Sequence, residues 1–257
     1  MSTISQVSQN GSPAPSKWDY VSKYVIPPCA AGIGIVPSYY FFCAKTSLQL
    51  GEPVPRFSFK FLVDGIKAAP NIGGLVGTQI IFQNILEEAI KERRKRQHLS
   101  EDLDFQTKIG ISTVVAIVSS PALVTFNGHT MGWSAKQSRK FFVKNPKLLA
   151  CVLAQETFFL TSLSICDALS FRMKSTFGDN KAVKVCSDFS SGAIGSLFGH
   201  AANTTLTLWQ KGIKVEKASQ LAKGALTKAV AVGVFSVCYN EAKEFLKTKS
   251  QGFFVFS

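Results

Sequence analysis

Charged residues are scarce in this chain. Only 18% of its 257 residues are Asp, Glu, Lys or Arg, whereas a soluble domain averages about 25%. Acidic residues are the rarer sign, 16 against 29 basic ones, which gives a formal net charge of +13. Intrinsic disorder is nevertheless excluded for most of the chain, because 46% of the residues are hydrophobic and 11% are aromatic, enough to bury a core.

Patterns that would indicate a disulfide scaffold, a metal site or an enzyme are also missing. The six cysteines are scattered without a CxxC pair, and the three histidines are His98, His129 and His200. This spacing favours neither disulfides nor zinc. No phosphate-binding glycine loop, nucleophile and base, or paired carboxylates indicate catalysis. We therefore expect a protein without enzymatic activity, cofactor or metal.

Long segments without charge dominate the remaining sequence. Residues 25–44, 68–86, 109–135 and 189–210 carry none, residues 148–166 carry only Glu156, and the shorter segment 229–240 follows Lys228. A helix needs about 20 mostly apolar residues to cross a bilayer, so we expect six membrane-spanning helices. A large soluble protein with six buried helices is the alternative, although soluble helices normally carry a charged stripe.

Small residues recur at four-residue spacing inside these segments. Gly73 and Gly77 form one such pair, and Gly195 and Gly199 form another. In lipid, this spacing lets two helices approach closely. The pattern favours several helices packed together over a single membrane anchor.

The segments and their connectors repeat three times. A short basic stretch follows each odd segment, and a longer hydrophilic linker follows the second and fourth; the short stretches are 56–67, 136–147 and 211–223, and the linkers are 87–104 and 172–188. Gln49, Thr130 and Gln210 close the odd segments at intervals of about 80 residues, and a fixed period indicates tandem repeats. We predict a disordered tail, three repeats and a C-terminal tail, with the boundaries 1–17, 18–104, 105–182, 183–250 and 251–257.

Two motifs carry a resemblance to a known family. The segment 199–210 aligns with the Px[DE]xx[KR] region that ends odd helices in the mitochondrial carrier family, and Tyr239-Asn240-Glu241-Ala242-Lys243 aligns with its [FY][DE]xx[RK] motif. The chain resembles this family over about residues 20–249. The resemblance implies an all-α membrane fold with six transmembrane helices in three tandem repeats, three short surface helices and a pseudo-threefold barrel. It also implies a monomer in the mitochondrial inner membrane, although another organelle membrane stays open.

The charged closure of that family has been lost here. In the family, three ion pairs between acidic and basic positions of the odd helices shut the cavity on one side. The acidic positions are here Phe42, Leu123 and Asn203, and the basic ones are Lys45, Phe126 and Leu206. We expect an apolar closure instead, and the polar positions retained beside it are Lys45, Gln49, Asn203 and Gln210.

The corresponding network at the ends of the even helices is partly kept. The resemblance assigns to it Glu88 and Lys91 in the second span, Asp167 in the fourth, and Tyr239, Asn240 and Lys243 in the sixth. The alternative for each charged pair is an ordinary exposed ion pair within a helix, which stabilises by only about 0.2–0.5 kcal/mol.

Glu156 and Lys228 are the central candidates, because ionisable residues inside a span are expensive and usually functional. The family's substrate positions, about three turns before the even-helix motifs, add Gly74, Gln79 and Gln155. Both signs of charge in one cavity suit a small polar solute, above all a zwitterionic or amphoteric one. The alternative is that Lys228 reaches the basic interface and pairs structurally with Glu156.

The excess of basic residues indicates a partner with negative charge. The face that carries the short basic stretches should attract anionic lipid such as cardiolipin. Nucleic acid is not expected, because the basic cluster 91–96 adjoins a span and no aromatic platform accompanies it. Two functions stay open: transport of a small polar solute by alternating access, or a non-transporting scaffold acting in membrane protein insertion or membrane shape.

Overall fold

In a computed structural model, which describes residues 17–100, 103–178 and 180–254, the chain is all-helical, and these residues contain no strand. They form eight α-helices and one short 3-10 helix. The α-helices are α1 (Lys17–Leu50), α2 (Lys60–Arg96), α3 (Phe105–Thr130), α4 (Ala135–Lys144), α5 (Lys147–Phe177), α6 (Lys181–Phe198), α7 (His200–Gln210) and α8 (Ala225–Phe254), and the 3-10 helix covers Ala218–Ala222.

The predicted tails fall at the edges of the described residues. Residues 1–16 of the tail predicted to be disordered lie outside them, and Lys17 already begins α1. At the other end, α8 continues to Phe254, three residues past the predicted start of the C-terminal tail at residue 251.

Among the described residues, three segments are long and apolar enough to cross a membrane, namely Ser22–Leu50, Gln106–Thr130 and Ala218–Lys249. They correspond to the first, third and sixth segments predicted from the sequence. The second and fifth are rich in Gly, Ser, Thr, Asn and Gln, with eight such residues of 19 and 11 of 22, which lowers their mean hydropathy. The fourth includes residues 159–170, whose side chains lie outside those that the structure describes.

The helices pack as a closed ring. Helix α1 contacts α2 and α8, α2 contacts α3, α3 contacts α5, α5 contacts α6 and α7, and α6 contacts α8. The first and last helices therefore close the circle. Buried apolar side chains such as Ile35, Leu123, Val152 and Leu206 form its core.

Close helix contacts depend on glycines. An added Cβ at Gly73 would lie 2.9 Å from the carbonyl oxygen of Pro28 in α1, and one at Gly77 would lie 2.9 Å from the Pro28 ring. The small-residue pair seen in the sequence is thus the contact face of α2 on α1, as expected for small residues at this spacing.

Helices α1, α3 and α7 end in the same way. Gly51, Gly132 and Gly212 have φ angles of 73°, 78° and 73°, a left-handed conformation that glycine adopts without strain. The next residue in each case donates its N–H to a carbonyl five residues earlier, which is the Schellman motif. These three ends stand 81 and 80 residues apart, matching the period read from Gln49, Thr130 and Gln210.

The prediction of three short surface helices is wrong in two cases. Only the second stretch is a separate α-helix, α4. The first is the beginning of α2, because Gly65 stays helical and packs against Val36, where a Cβ would lie 2.9 Å from the carbonyl oxygen. The third is a single 3-10 turn that ends before Gly224, whose φ is 75°.

The fifth predicted span is also divided. Helix α6 ends at Phe198 and α7 begins at His200, with Gly199 between them. A Cβ at Gly199 would lie 2.6 Å from the Gln155 carbonyl oxygen. The break therefore brings the chain directly against α5, beside the residues predicted to bind solute.

Candidate functional site

A cavity of about 160 Å³ lies within the ring of helices. Its apolar wall includes Phe42, Leu75, Phe126, Leu206 and Phe235. Every helix of the ring also contributes a polar side chain: Lys45, Gln79, Asn127, Gln155, Glu156, Ser196, Asn203 and Lys228. Four of the five predicted solute-binding residues thus face a common space.

Glu156 is buried, with an exposed fraction of 4%. Gln79 Nε2 donates to Glu156 Oε2 at 2.9 Å, and Gln155 Nε2 donates to Oε1 at 3.0 Å. Each carboxylate oxygen therefore has a neutral amide donor, as a buried charged group requires.

Lys228 is also buried, with an exposed fraction of 8%. The part of the chain that the structure describes supplies no hydrogen bond or ion pair for its Nζ. Its burial argues against the alternative in which Lys228 reaches the interface, and Glu156 bonds to amides instead of pairing with it. Both residues line the cavity.

Lys45 lines the same cavity although the sequence assigned it only to the closure. Its exposed fraction is 3%. Lys45 Nζ donates to Asn203 Oδ1 at 3.0 Å and to Asn127 Oδ1 at 3.5 Å. Its partners are amide oxygens, and no carboxylate of the described residues pairs with it.

A continuous chain of side-chain hydrogen bonds joins five helices. Asn203 accepts from Lys45 and donates through Nδ2 to Gln155 Oε1 at 2.8 Å. Gln155 donates to Glu156, and Gln79 donates both to Glu156 and, at 3.4 Å, to Ser119. This chain of hydrogen bonds connects α1, α7, α5, α2 and α3. Lys228 of α8 lines the same cavity but is not part of the chain.

Below the cavity, the ends of α1, α3 and α7 are joined by amides and hydroxyls. We call this group the polar closure; it comprises Lys45, Thr46, Gln49, Asn127, Thr130, Asn203, Thr204, Thr207 and Gln210. Gln49 donates to Thr204 at 2.8 Å and accepts from Thr207 at 3.0 Å, and Thr46 and Thr130 lie 2.8 Å apart. Asn127 Nδ2 donates to Gln210. All nine side chains are buried, so this end of the ring is sealed.

The apolar closure expected from the sequence is therefore only one layer of the seal. Phe42 and Phe126 meet edge to face with ring centroids 5.3 Å apart, and Leu123 and Leu206 are buried in the same wall. Of the polar closure beneath them, the sequence assigned Lys45, Gln49, Asn203 and Gln210 to the closure and missed the others, above all Asn127. The signal was available, because polar residues recur at helical spacing before each of the three helix ends.

The opposite end of the ring contains a wider cleft of about 650 Å³ between α1, α2 and α8. Lys23, Tyr239, Lys243 and Lys247 line it. Basic side chains in this cleft would attract an anion.

The predicted network at this end is only partly formed. Glu88 pairs with Lys23 of α1 at 3.2 Å, whereas Lys91, its expected partner, is exposed. Glu88 and Lys91 are therefore not a pair, since α1 supplies the nearer cation. The side chain of Asp167 lies outside those that the structure describes.

The motif from Tyr239 to Lys243, which lies in α8, has several partners. The Tyr239 ring stacks on Phe235 with centroids 6.0 Å apart, and Lys243 Nζ lies 5.9 Å from the Tyr239 ring. Glu241, next to Asn240 in the same motif, pairs with Lys181 and Lys184 of α6 at 3.8 Å each. The motif thus supports the contact between α8 and α6 beside the cleft.

Gly74 is the one predicted solute-binding residue that lies elsewhere. It is exposed, and a Cβ added to it would have no atom within 4 Å. Leu75 and Gln79, which share a face at four-residue spacing, line the cavity instead.

Compared with models of known protein families and with curated proteins, the sequence matches none. A function for this chain has to be argued from its own residues.

Proposed function

We propose that this protein is a divergent carrier-like membrane protein that moves a small polar solute by alternating access. In this proposal six helices span the bilayer in three repeats, in the mitochondrial inner membrane or another organelle membrane. Exposed large apolar side chains support a lipid-facing outer surface, because helices around the ring carry them; examples are Ile33, Phe82, Ile117, Phe158, Ile194 and Leu226.

The observation that carries the proposal is the buried, mixed-charge cavity. Glu156, Lys45 and Lys228 all line it, yet the described residues provide neither ammonium with a carboxylate partner. A buried charge without an opposite partner destabilises a fold by several kcal/mol. A scaffold gains nothing from that cost, whereas a transporter uses such charges to bind its solute.

The two ends of the cavity suit alternating access. The polar closure seals one end through hydrogen bonds that, apart from those of Lys45, are neutral, and a neutral hydrogen bond contributes about 0.5–1.5 kcal/mol. The other end is a wide cleft whose pair Lys23 and Glu88 is largely exposed, and exposed ion pairs stabilise little. If the polar closure opened while the cleft narrowed, weak contacts would break at one end and contacts of similar strength would form at the other.

Reconstitution into liposomes tests the proposal. Purified full-length protein should take up a labelled amino acid in exchange for the same unlabelled solute inside. Lys228→Ala should abolish uptake, because it removes a cavity charge. Lys60→Ala is the matched control, since Lys60 is exposed at the start of α2, and it should leave uptake unchanged. Both variants should keep the helical circular dichroism spectrum.

The alternative is a non-transporting scaffold of the same fold. The absence of any complete ion pair among the odd-helix positions favours it, since Phe42 and Leu123 stand where the family has acids. A folded protein that exchanges no amino acid or other small polar solute, with a stability unaffected by Lys228→Ala, would support the scaffold and contradict transport.

Anionic lipid is the proposed partner of the surface beside α4. A cleft there is lined by Trp133, Gln137, Lys140, Phe141 and Lys144. Trp133 and Phe141 meet edge to face with centroids 5.4 Å apart. Aromatic rings beside lysines suit a lipid headgroup region. Vesicles containing cardiolipin should stabilise the protein more than vesicles of phosphatidylcholine alone, and Lys140→Gln with Lys144→Gln should reduce that difference.

A further inference from the structure

The central cavity contains one more basic than acidic side chain. Three of its lining residues are ionisable: Lys45 and Lys228 are bases, and Glu156 is an acid. The sequence indicated a cavity with one charge of each sign, because it placed Lys45 in the closure alone. The structure places the second lysine in the same space.

The hydrogen bonds show which of these charges lack an opposite partner. Both oxygens of Glu156 accept from amides, and Lys45 donates to amide oxygens. Lys228 Nζ has no hydrogen bond or ion pair from the described residues although the side chain is more than nine-tenths buried. Two cationic positions and one anionic position therefore face the cavity.

We propose that the solute is a small amino acid of net charge −1, with two carboxylates that bind Lys45 and Lys228 and an ammonium that binds Glu156. This inference rests on the proposed function, whose solute it names by class. Three ion pairs would bring the charge of the filled cavity to zero. Charge-assisted hydrogen bonds of this kind are about twice as strong as neutral ones.

Other solutes match the cavity less well. A neutral amino acid leaves one lysine without a carboxylate, a dicarboxylate without an amine leaves Glu156 without a cation, and a basic amino acid adds positive charge to a positive site. The cavity of about 160 Å³ equals the volume of about five water molecules, which suits a short carbon chain. The basic cleft between α1, α2 and α8 also favours a solute with net negative charge.

Thermal unfolding of the detergent-solubilised full-length protein tests binding without requiring transport. The probes are glutamate, its neutral analogue glutamine, and glutarate, which lacks the ammonium. A ligand that binds the folded state raises the melting temperature. We expect glutamate or aspartate to raise it at concentrations at least about tenfold lower than glutamine or glutarate.

Two variants identify the charges responsible. Lys45→Gln removes one positive charge but keeps an amide that can donate to Asn203, so the preference for glutamate over glutamine should fall by about tenfold or more. Glu156→Gln should remove the requirement for the ammonium, so that glutarate binds as well as glutamate. Lys60→Gln, the same change on an exposed lysine, should keep the wild-type order of ligands.

The outcomes separate this inference from the proposed function. Stabilisation by neither acidic amino acid, equal stabilisation by glutamine, or an unchanged preference in Lys45→Gln would each overturn the assignment of the solute. Uptake of neutral amino acids only would leave transport standing and overturn the inference. Selective binding of glutamate without any exchange across liposomes would support the inference and contradict transport.

Discussion

Asn203 accepts a hydrogen bond from Lys45 at 3.0 Å and donates one to Gln155 at 2.8 Å. One amide thus joins the polar closure to the wall of the cavity. An amide can do both because it contains an acceptor and a donor, whereas an ionised carboxylate only accepts. Because this amide is neutral, Lys45 has no carboxylate partner there. A solute carboxylate can therefore compete with Asn203 for Lys45.

Asn203→Asp should stabilise the protein and weaken its preference for acidic solutes. The substitution replaces a neutral acceptor for Lys45 with a charged one, and hydrogen bonds to charged groups contribute about 1.5–3 kcal/mol against 0.5–1.5 for neutral ones. That gain exceeds the loss of one neutral bond to Gln155. The melting temperature should rise, and exchange across liposomes should slow severalfold because opening the closure must separate an ion pair.

Asn203→Ala is the control for this prediction. It removes the hydrogen bonds to Lys45, Gln49 and Gln155 without adding a charge, so the melting temperature should fall. If Asn203→Asp lowers the melting temperature as much as Asn203→Ala does, Lys45 does not depend on residue 203 for its partner, and the link between closure and cavity is contradicted.

Gln49→Leu should loosen the polar closure. Gln49 donates to Thr204 and to Asn203 and accepts from Thr207, and leucine can replace none of these bonds. Buried polar groups left without a partner destabilise by about 1–3 kcal/mol. Chemical unfolding should show a loss of this size, and liposomes with the variant should leak small solutes faster. Gln97→Leu, at an exposed position after α2, should change neither measurement.

The period of about 80 residues in the sequence predicted where α1, α3 and α7 end, because the end of a helix depends on local residues. The glycines after α1, α3 and α7 each adopt a left-handed φ, and such a conformation is a property of the turn itself. Glu156 and Lys228 were predicted as ionisable residues in or beside charge-poor segments, whereas Gln79 and Gln155 were expected from the resemblance to the mitochondrial carrier family; all four line one cavity. Gly74 does not face the cavity, whereas the next residue, Leu75, does. A shift of one residue turns a side chain by about 100° on a helix with 3.6 residues per turn.

The contents of the closure could not be read in the same way. Asn127 and Gln210 meet across about 80 residues of chain, and no local pattern states which polar side chains will pair at such a distance. The same applies to Glu88, which had a candidate partner three residues away in its own helix but contacts Lys23 across the ring. Local spacing limits the possible partners, and tertiary packing chooses among them.

The link between α2 and α3 should be sensitive to acid. Asp104 precedes α3, accepts from the Thr107 hydroxyl, and pairs with Arg94 at 3.0 Å. These contacts, the Thr107 hydrogen bond first, lower the pKa of Asp104. A carboxyl whose pKa is lower in the folded state stabilises the fold above its unfolded pKa and loses that effect as pH falls through the folded value. The melting temperature of Asp104→Asn should be lower than that of wild type at pH 7, and the gap should close in acid. A gap that stays constant with pH would contradict this assignment.

Gly73→Ala should destabilise the protein, because its Cβ would lie 2.9 Å from the carbonyl oxygen of Pro28, a backbone atom that cannot move without shifting α1. Overpacking of this kind typically destabilises by about 1–3 kcal/mol. Gly74→Ala makes the same substitution one residue later in the same helix, where no atom lies within 4 Å of the new Cβ. It should instead stabilise by about 0.4–1 kcal/mol, because alanine reduces the conformational freedom of the unfolded chain. Urea unfolding of both variants measures the difference. Equal effects would mean that α2 does not rest on α1 through its glycine face.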